Sequence, residues 1–118
     1  MCWGFECGDG WHQIIDSLCS QIQHHINWKQ EQKEKYSRGE GCRQVVAMQV
    51  KEKFGGLRFY YNGGDEKIDG MVRMAESWAA NTCETCGAPG HMRTGGWIRT
   101  LCDLHEEEHQ NRFKKDKE

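Results

Sequence analysis

Two short-spaced pairs of metal-binding side chains constrain this chain more than any other feature. Cys83 and Cys86 are separated by two residues, and Cys102 and His105 repeat that step after an interval of fifteen residues. Zinc takes four sulfur and nitrogen ligands in a tetrahedron, and a closely spaced pair can chelate it because the backbone between its members forms a tight turn. The spacing therefore predicts a four-ligand zinc site.

The predicted zinc is structural, because four protein ligands close the coordination shell whereas a catalytic zinc keeps a position for water. His91 and His109 are alternatives to His105 as the fourth ligand. We favour His105 because it repeats the short chelating step. Such a site contributes on the order of 10 kcal/mol to folding, so this end of the chain should depend on the metal.

The residues around the two pairs predict a small unit built on the ion. Gly87 and Gly90 suit a turn after the first pair, and the intervening MRTGGWIRTL has the glycines and tryptophan of a small hairpin. The second pair falls where the last predicted helix begins, at about Asp103. Knuckle, hairpin and helix in this order are typical of a treble clef. We expect this unit to span residues 83–113, with a frayed tail at 114–118.

Residues 1–82 predict the body of a single compact α+β unit, in which two helices pack on a β-hairpin. A first helix is indicated by apolar side chains at steps of three, four and seven: Trp11, Ile14, Ile15, Leu18, Cys19, Ile22 and Ile26. Residues 27–41 are polar and predict a frayed helix end that runs into an exposed loop. Asp65 can cap a second helix that ends near Asn81. Its inward-facing residues are Ile68, Met71, Val72, Ala75 and Ala79.

The hairpin is predicted by Gly55 and Gly56, which lie between two runs rich in valine, phenylalanine and tyrosine. Pairing Phe54 with Leu57 places these side chains on the buried face: Val46, Met48, Val50, Phe54, Leu57, Phe59 and Tyr61. The other face then carries Lys51, Lys53, Arg58 and Tyr60. Lys53 would lie opposite Arg58, and facing like charges cost stability unless an acidic partner covers them. A helix over 45–54 is the alternative interpretation.

Composition argues against several other classes of protein. The formal net charge is −2, which lacks the basic excess typical of nucleic-acid binding. No apolar run approaches the roughly 18 to 20 residues of a membrane span, and the start lacks a signal-peptide pattern. We therefore expect a cytoplasmic protein with no membrane partner. Seven cysteines are an odd number, and Cys2, Cys7, Cys19 and Cys42 are scattered, which argues against a disulfide framework.

The sequence contains no catalytic motif that we recognise, so we expect a protein that is not an enzyme. A treble clef can also carry an HNH-type nuclease, but the order and spacing of His91, His109 and Asn111 do not match that site well. Cys7 is interpreted as packing. His24 and His25 lie near the end of the predicted first helix, where a cation is favoured, and require no further role.

Two surfaces are predicted to bind a partner. The first is the basic sheet face with Lys51, Lys53, Arg58 and Tyr60, and the second is the acidic helix segment with Glu106, Glu107 and Glu108. Exposed aromatic and arginine side chains are frequent in binding hot spots. A nucleic-acid-binding zinc module, in which the basic face holds phosphate, is the alternative function.

Several motifs together resemble a family of short proteins encoded by bacteriophages and prophages. They are CGDGW at 7–11, VKEKFGGLRFYY at 50–61, and CETCGAPG and GGWIRTLC at the zinc site. The resemblance spans residues 5–105, and the family is similar to zinc-containing anti-CRISPR proteins, which inhibit Cas nucleases by protein contact. It implies a phage-derived inhibitor in the bacterial host cytoplasm that binds a host defence nuclease such as the type II nuclease Cas9.

Overall fold

The computed structural model describes residues 7–94 and 97–116, with side chains as far as Asn111. Within these residues the fold is α+β, with three α-helices and two antiparallel hairpins. The helices are α1 (His12–Tyr36), α2 (Glu66–Ala79) and α3 (Asp103–Asp116), and the strands are β1 (Val46–Lys53), β2 (Gly56–Asn62), β3 (His91–Arg93) and β4 (Arg99–Leu101). None of the described helices is both long enough and apolar enough to cross a bilayer.

Helix α1 confirms the predicted apolar stripe but continues further than the sequence indicated. Its buried side chains include Ile14, Ile15, Leu18, Ile22 and Ile26. The predicted fraying at 27–41 was wrong as far as Tyr36, because this segment is rich in Gln, Glu and Lys, which are good helix formers. The helix ends at Ser37, which adopts a left-handed conformation (φ 52°) and donates its N–H to the Gln32 carbonyl.

Helix α2 begins and packs as predicted. The Asp65 carboxylate accepts a hydrogen bond from the Ile68 N–H at 3.1 Å and so caps the helix. The side chains buried against the core are Ile68, Val72, Ala75 and Ala79, with Met71 partly buried beside them. Because α1 and α2 pack together with the inner face of β1 and β2, the predicted arrangement of two helices on a hairpin is present.

The β1–β2 hairpin is confirmed, but its predicted register was wrong. Lys53 pairs with Gly56 and Lys51 with Arg58, so Phe54 and Gly55 form the two-residue turn. Both turn residues have positive φ, 53° and 80°, as a type I′ hairpin turn requires. Lys53 therefore does not face Arg58; Lys51 takes that position.

A β-bulge in β1 makes the predicted distribution of side chains between the two faces wrong at the start of the strand. The register shifts between Ala47 and Gln49, which buries Ala47 and leaves Met48 as the extra residue. Val46 and Met48 are therefore exposed, at 50% and 56%, and Phe54 is exposed in the turn at 67%. The predicted inward positions of the other residues are supported: Val50, Leu57 and Phe59 are buried, and Tyr61 packs against the core.

Helix α2 covers the free edge of β2. The Glu76 carboxylate accepts a hydrogen bond from the Phe59 N–H at 3.2 Å, and the Tyr61 hydroxyl donates to the Asp69 carboxylate. Burial, together with this hydrogen bond, raises the pKa of Tyr61 to about 12. The two-stranded sheet is thus anchored to α2 by polar contacts as well as by its buried face.

Candidate metal centre

The first cysteine pair lies in a tight loop that follows α2. The Cys83 N–H donates to the Ala88 carbonyl at 2.7 Å, and the Gly87 N–H donates to the Cys83 carbonyl at 2.9 Å. Gly87 has φ 84°, a left-handed conformation that glycine adopts without strain. This loop buries Cys83 completely and exposes Cys86.

The fold brings the four predicted ligands together. Cys102 follows β4, and His105 lies in the first turn of α3. The distance from Cys102 Sγ to His105 Nδ1 is 3.1 Å, that from Cys83 Sγ to His105 Nδ1 is 3.6 Å, and that between the sulfurs of Cys86 and Cys102 is 3.8 Å. All four ligand atoms lie within 4.8 Å of one another. Zn–S and Zn–N bonds of about 2.3 and 2.0 Å fit a tetrahedron of this size.

Backbone N–H groups around the four side chains favour the thiolate that a metal requires at Cys83 and Cys102. Burial alone would raise the pKa of Cys83, but hydrogen bonds from the N–H groups of Cys102, Cys86 and Thr85 lower it to about 6. The N–H of His105 similarly lowers the pKa of Cys102. Because zinc binds thiolates, these donors prepare the sulfur atoms of Cys83 and Cys102 for metal binding.

The orientation of His105 supports its assignment over the two alternative histidines. Its Nδ1 faces the sulfur atoms, while its Nε2 lies 3.9 Å from the Glu108 carboxylate. At this distance the carboxylate makes no hydrogen bond, but its charge favours a proton on Nε2 and so leaves Nδ1 available to a metal. Among the residues that the structure describes, His91 and His109 are outside the group of mutually close ligand atoms.

A 3-10 turn (Asp9–Trp11) precedes α1 and packs directly on the first cysteine pair, a contact that sequence reasoning missed. Gly10 donates its N–H to the Glu84 carbonyl at 2.7 Å, and the Trp11 indole donates to the Thr82 carbonyl at 2.9 Å. A Cβ atom at Gly10 would lie 2.1 Å from the Cys83 carbonyl oxygen. The two glycines on either side of Asp9 were the available signal, because glycine is frequent where backbones approach closely.

The turn of the β1–β2 hairpin contacts β4, within the C-terminal unit predicted at residues 83–113. The buried Thr100 hydroxyl in β4 donates to the Gly55 carbonyl at 2.6 Å. A Cβ atom at Gly55 would lie 3.1 Å from Ile98 Cγ2. This close approach and the φ of 80° both favour glycine at the second turn position.

Ion pairs join the small β3–β4 hairpin to its surroundings. Arg99 lies 3.5 Å from the buried Glu84 carboxylate. Arg93 lies 2.8 Å from the Asp103 carboxylate and also donates to the Leu101 carbonyl. The predicted hairpin between the ligand pairs is therefore present, although Gly95 and Gly96, which the sequence predicted for it, lie outside the described residues.

The residues predicted to bind a partner fall into two separate groups. The Lys51 ammonium lies 5.8 Å from the centroid of the Tyr60 ring, opposite Arg58. In α3, Glu107 and Glu108 are exposed. Glu106 instead is half-buried, 4.0 Å from Arg93, and accepts a hydrogen bond from Gln110. The basic sheet residues thus form one continuous surface, whereas Glu106 is engaged within the fold.

Among the remaining cysteines and histidines, Cys7 packs as predicted, whereas the interpretation of His25 was wrong. Cys7 and Cys19 are half-buried and pack against the core, and burial, with Glu84 nearby, raises the pKa of Cys7 to about 11. Cys2 lies outside the described residues. His25, which was expected to need no further role, is buried and contacts Asp65 at 2.8 Å. Its place seven residues after Leu18 on the apolar stripe was the missed signal.

Comparisons with protein-family models, curated proteins and solved structures find no match to this chain. The likeness to short phage proteins therefore stays a prediction from motifs.

Proposed function

We propose that this chain is a zinc-stabilised binding protein that acts by contact and not by catalysis. The cluster of Cys83, Cys86, Cys102 and His105 supports this proposal, because four protein ligands saturate a tetrahedral zinc. The knuckle, the β3–β4 hairpin and α3 follow one another in the order of a treble clef, and we propose that this unit has that fold. The zinc then serves to hold the neighbouring turns in place.

The observation that carries the binding proposal is the composition of the outer sheet face. We use this name for the exposed or half-exposed side chains of Val46, Met48, Lys51, Lys53, Phe54, Arg58 and Tyr60. In the described part of the chain, none of its three cations has a carboxylate within ion-pair distance. Its large apolar side chains are 44 to 67% exposed. Aromatic, methionine and arginine side chains in one patch are typical of protein interfaces.

The partner that best fits this face is an acidic protein surface. Lys51 and Arg58 face each other across the ladder, and an acidic group placed over both would relieve their repulsion. The chain itself carries a net charge of −2, which weakens its attraction to nucleic acid as a whole. A host defence nuclease such as Cas9 is the partner that the motif resemblance implies.

Single-stranded nucleic acid is the second candidate, and one feature of the outer sheet face favours it. Lys51 and Lys53 lie 5.8 Å from the ring centroids of Tyr60 and Phe54. Proteins that bind single strands combine aromatic rings, on which bases stack, with cations that contact phosphates.

Two affinity measurements on the zinc-loaded chain distinguish these functions. The first is for a single-stranded oligonucleotide at physiological salt, and the second is for purified Cas9 with its guide RNA. We expect no oligonucleotide binding and a Cas9 complex that the Lys51→Glu/Arg58→Glu variant loses. The Lys33→Glu/Arg38→Glu variant, which makes the same charge change at exposed positions elsewhere, should retain the complex. Oligonucleotide affinity that falls steeply with salt and disappears only in the first variant would instead establish the nucleic-acid function.

A further inference from the structure

We propose that His25, Cys42 and Asp65 form a second metal site, which takes a divalent transition metal such as zinc and leaves one coordination position exchangeable. The three residues come from separate parts of the fold: α1, the loop between α1 and β1, and the N-cap of α2. One ligand atom from each lies within 4.8 Å of the other two. This site is independent of the proposed binding function.

The chemistry of these donors suits zinc. A thiol, an imidazole and a carboxylate are the three side-chain types that bind Zn²⁺, whereas Ca²⁺ and Mg²⁺ prefer oxygen ligands alone. His25 and Cys42 are each only 9% exposed, so both are held in place by packing. A zinc ion bound to a thiolate, a carboxylate and a neutral imidazole has no net charge, and the proton released from the Cys42 thiol passes to solvent.

Asp65 is already oriented for this role. Its Oδ1 accepts the Ile68 N–H at 3.1 Å, which fixes the carboxylate and leaves Oδ2 directed at His25 Nε2, 2.8 Å away. The Lys29 ammonium lies 3.4 Å from the same Oδ2. The carboxylate thus already attracts one cation, the Lys29 ammonium. The Lys29 side chain is 32% exposed and can turn to solvent when a metal ion takes the place of its ammonium group.

An open groove gives access to this site. It has a volume of about 560 Å³ and is lined by His25, Trp28, Lys29, Asp65, Glu66 and Lys67. His25 and Asp65 line this groove, and a metal ion that they hold together with the buried Cys42 keeps its fourth tetrahedral position for water or a small anion. With one thiolate instead of three, and with Lys29 to displace, this site should fill after the Cys83, Cys86, Cys102 and His105 cluster.

Cobalt titration of the full chain loaded with one equivalent of zinc tests this site. Co²⁺ binds less tightly than Zn²⁺ to a given site, so it leaves the zinc cluster intact and reports on the vacant ligands. We expect uptake of one equivalent of Co²⁺ with the visible bands of a tetrahedral ion and the ultraviolet charge-transfer band of a single thiolate. The Cys19→Ser variant, which removes a half-buried thiol elsewhere on α1, should behave as the wild type.

Two ligand variants separate a lost site from a lost fold. Cys42→Ser should abolish the thiolate band, and Asp65→Asn, which keeps a side-chain oxygen for the cap, should weaken Co²⁺ binding by at least about tenfold. Far-ultraviolet circular dichroism identifies any variant that has unfolded. The proposal is overturned if the wild type takes up no Co²⁺, if the bound Co²⁺ shows no thiolate band, or if a folded Cys42→Ser variant binds it unchanged.

Discussion

The backbone N–H of Gly10 lies 2.7 Å from the carbonyl oxygen of Glu84, within the first cysteine pair. The contact joins the turn before α1 to the loop that carries the first two candidate metal ligands, Cys83 and Cys86. Trp11, which is fully buried, adds a second hydrogen bond to the same loop through its indole N–H. The helical part of the chain before residue 83 and the C-terminal unit at residues 83–113 therefore stabilise each other. A substitution in one part should change the stability of the other.

Replacing Gly10 by alanine tests this contact. The new Cβ would lie 2.1 Å from the Cys83 carbonyl oxygen, and a backbone atom cannot move aside easily. We expect Gly10→Ala to lower the free energy of unfolding by about 1–3 kcal/mol, the usual cost of overpacking. Urea denaturation of the zinc-loaded chain measures this change.

The matched control is Gly70→Ala within α2. Nothing lies within 4 Å of a Cβ at Gly70, so alanine should raise the free energy of unfolding by about 0.5–1 kcal/mol through its better helix propensity. Equal effects of the two substitutions would contradict the close packing of Gly10 on the cysteine loop.

Removal of the metal should unfold the C-terminal unit. A structural zinc contributes on the order of 10 kcal/mol, which is comparable to the whole stability of a small domain. We expect a strong chelator, or the Cys83→Ser substitution, to abolish hydrogen-exchange protection of β3, β4 and the start of α3. The Cys19→Ser variant should keep that protection, and persistent protection in the metal-free chain would contradict a structural role for the ion.

Tyr61 should make the free energy of unfolding depend on pH in the alkaline range. Its pKa is raised from 10.0 to about 12 because burial and the hydrogen bond to Asp69 disfavour the phenolate. This contribution is fully present below pH 10 and is lost as the pH rises toward 12. In the Tyr61→Phe variant this part of the pH dependence should disappear. Parallel profiles of unfolding free energy against pH for the two chains would argue against the assignment.

Phe54 should lower the free energy of unfolding but contribute to partner binding. It is 67% exposed and has φ 53°, a conformation that costs a non-glycine residue energy. Phe54→Asn should raise the free energy of unfolding by about 0.5–1 kcal/mol, because Asn-Gly is a preferred type I′ turn. If the outer sheet face binds the partner, this variant should bind less tightly.

Phe54→Ala separates the two effects, because it removes the ring without supplying a residue that favours the turn. We expect it to weaken binding without the gain in stability. If neither variant changes the affinity for a partner that the wild type binds, Phe54 does not belong to the interface.

Local patterns predicted the cluster of Cys83, Cys86, Cys102 and His105 and the three helices, whereas contacts between distant segments set the hairpin register. The step from Cys83 to Cys86 is encoded within four residues. The bulge after Ala47 and the turn at Phe54 and Gly55 instead depend on the core and on β4, which no short window of sequence contains. The contact of His25 with Asp65 was missed for a similar reason, because forty residues separate the two.

X-ray absorption spectroscopy of the chain carrying one equivalent of zinc tests the central claim most directly. We predict a four-coordinate ion with three sulfur ligands at about 2.3 Å and one nitrogen ligand at about 2.0 Å. A shell with fewer than three sulfur atoms, or with an exchangeable oxygen ligand, would contradict a closed structural site formed by Cys83, Cys86, Cys102 and His105.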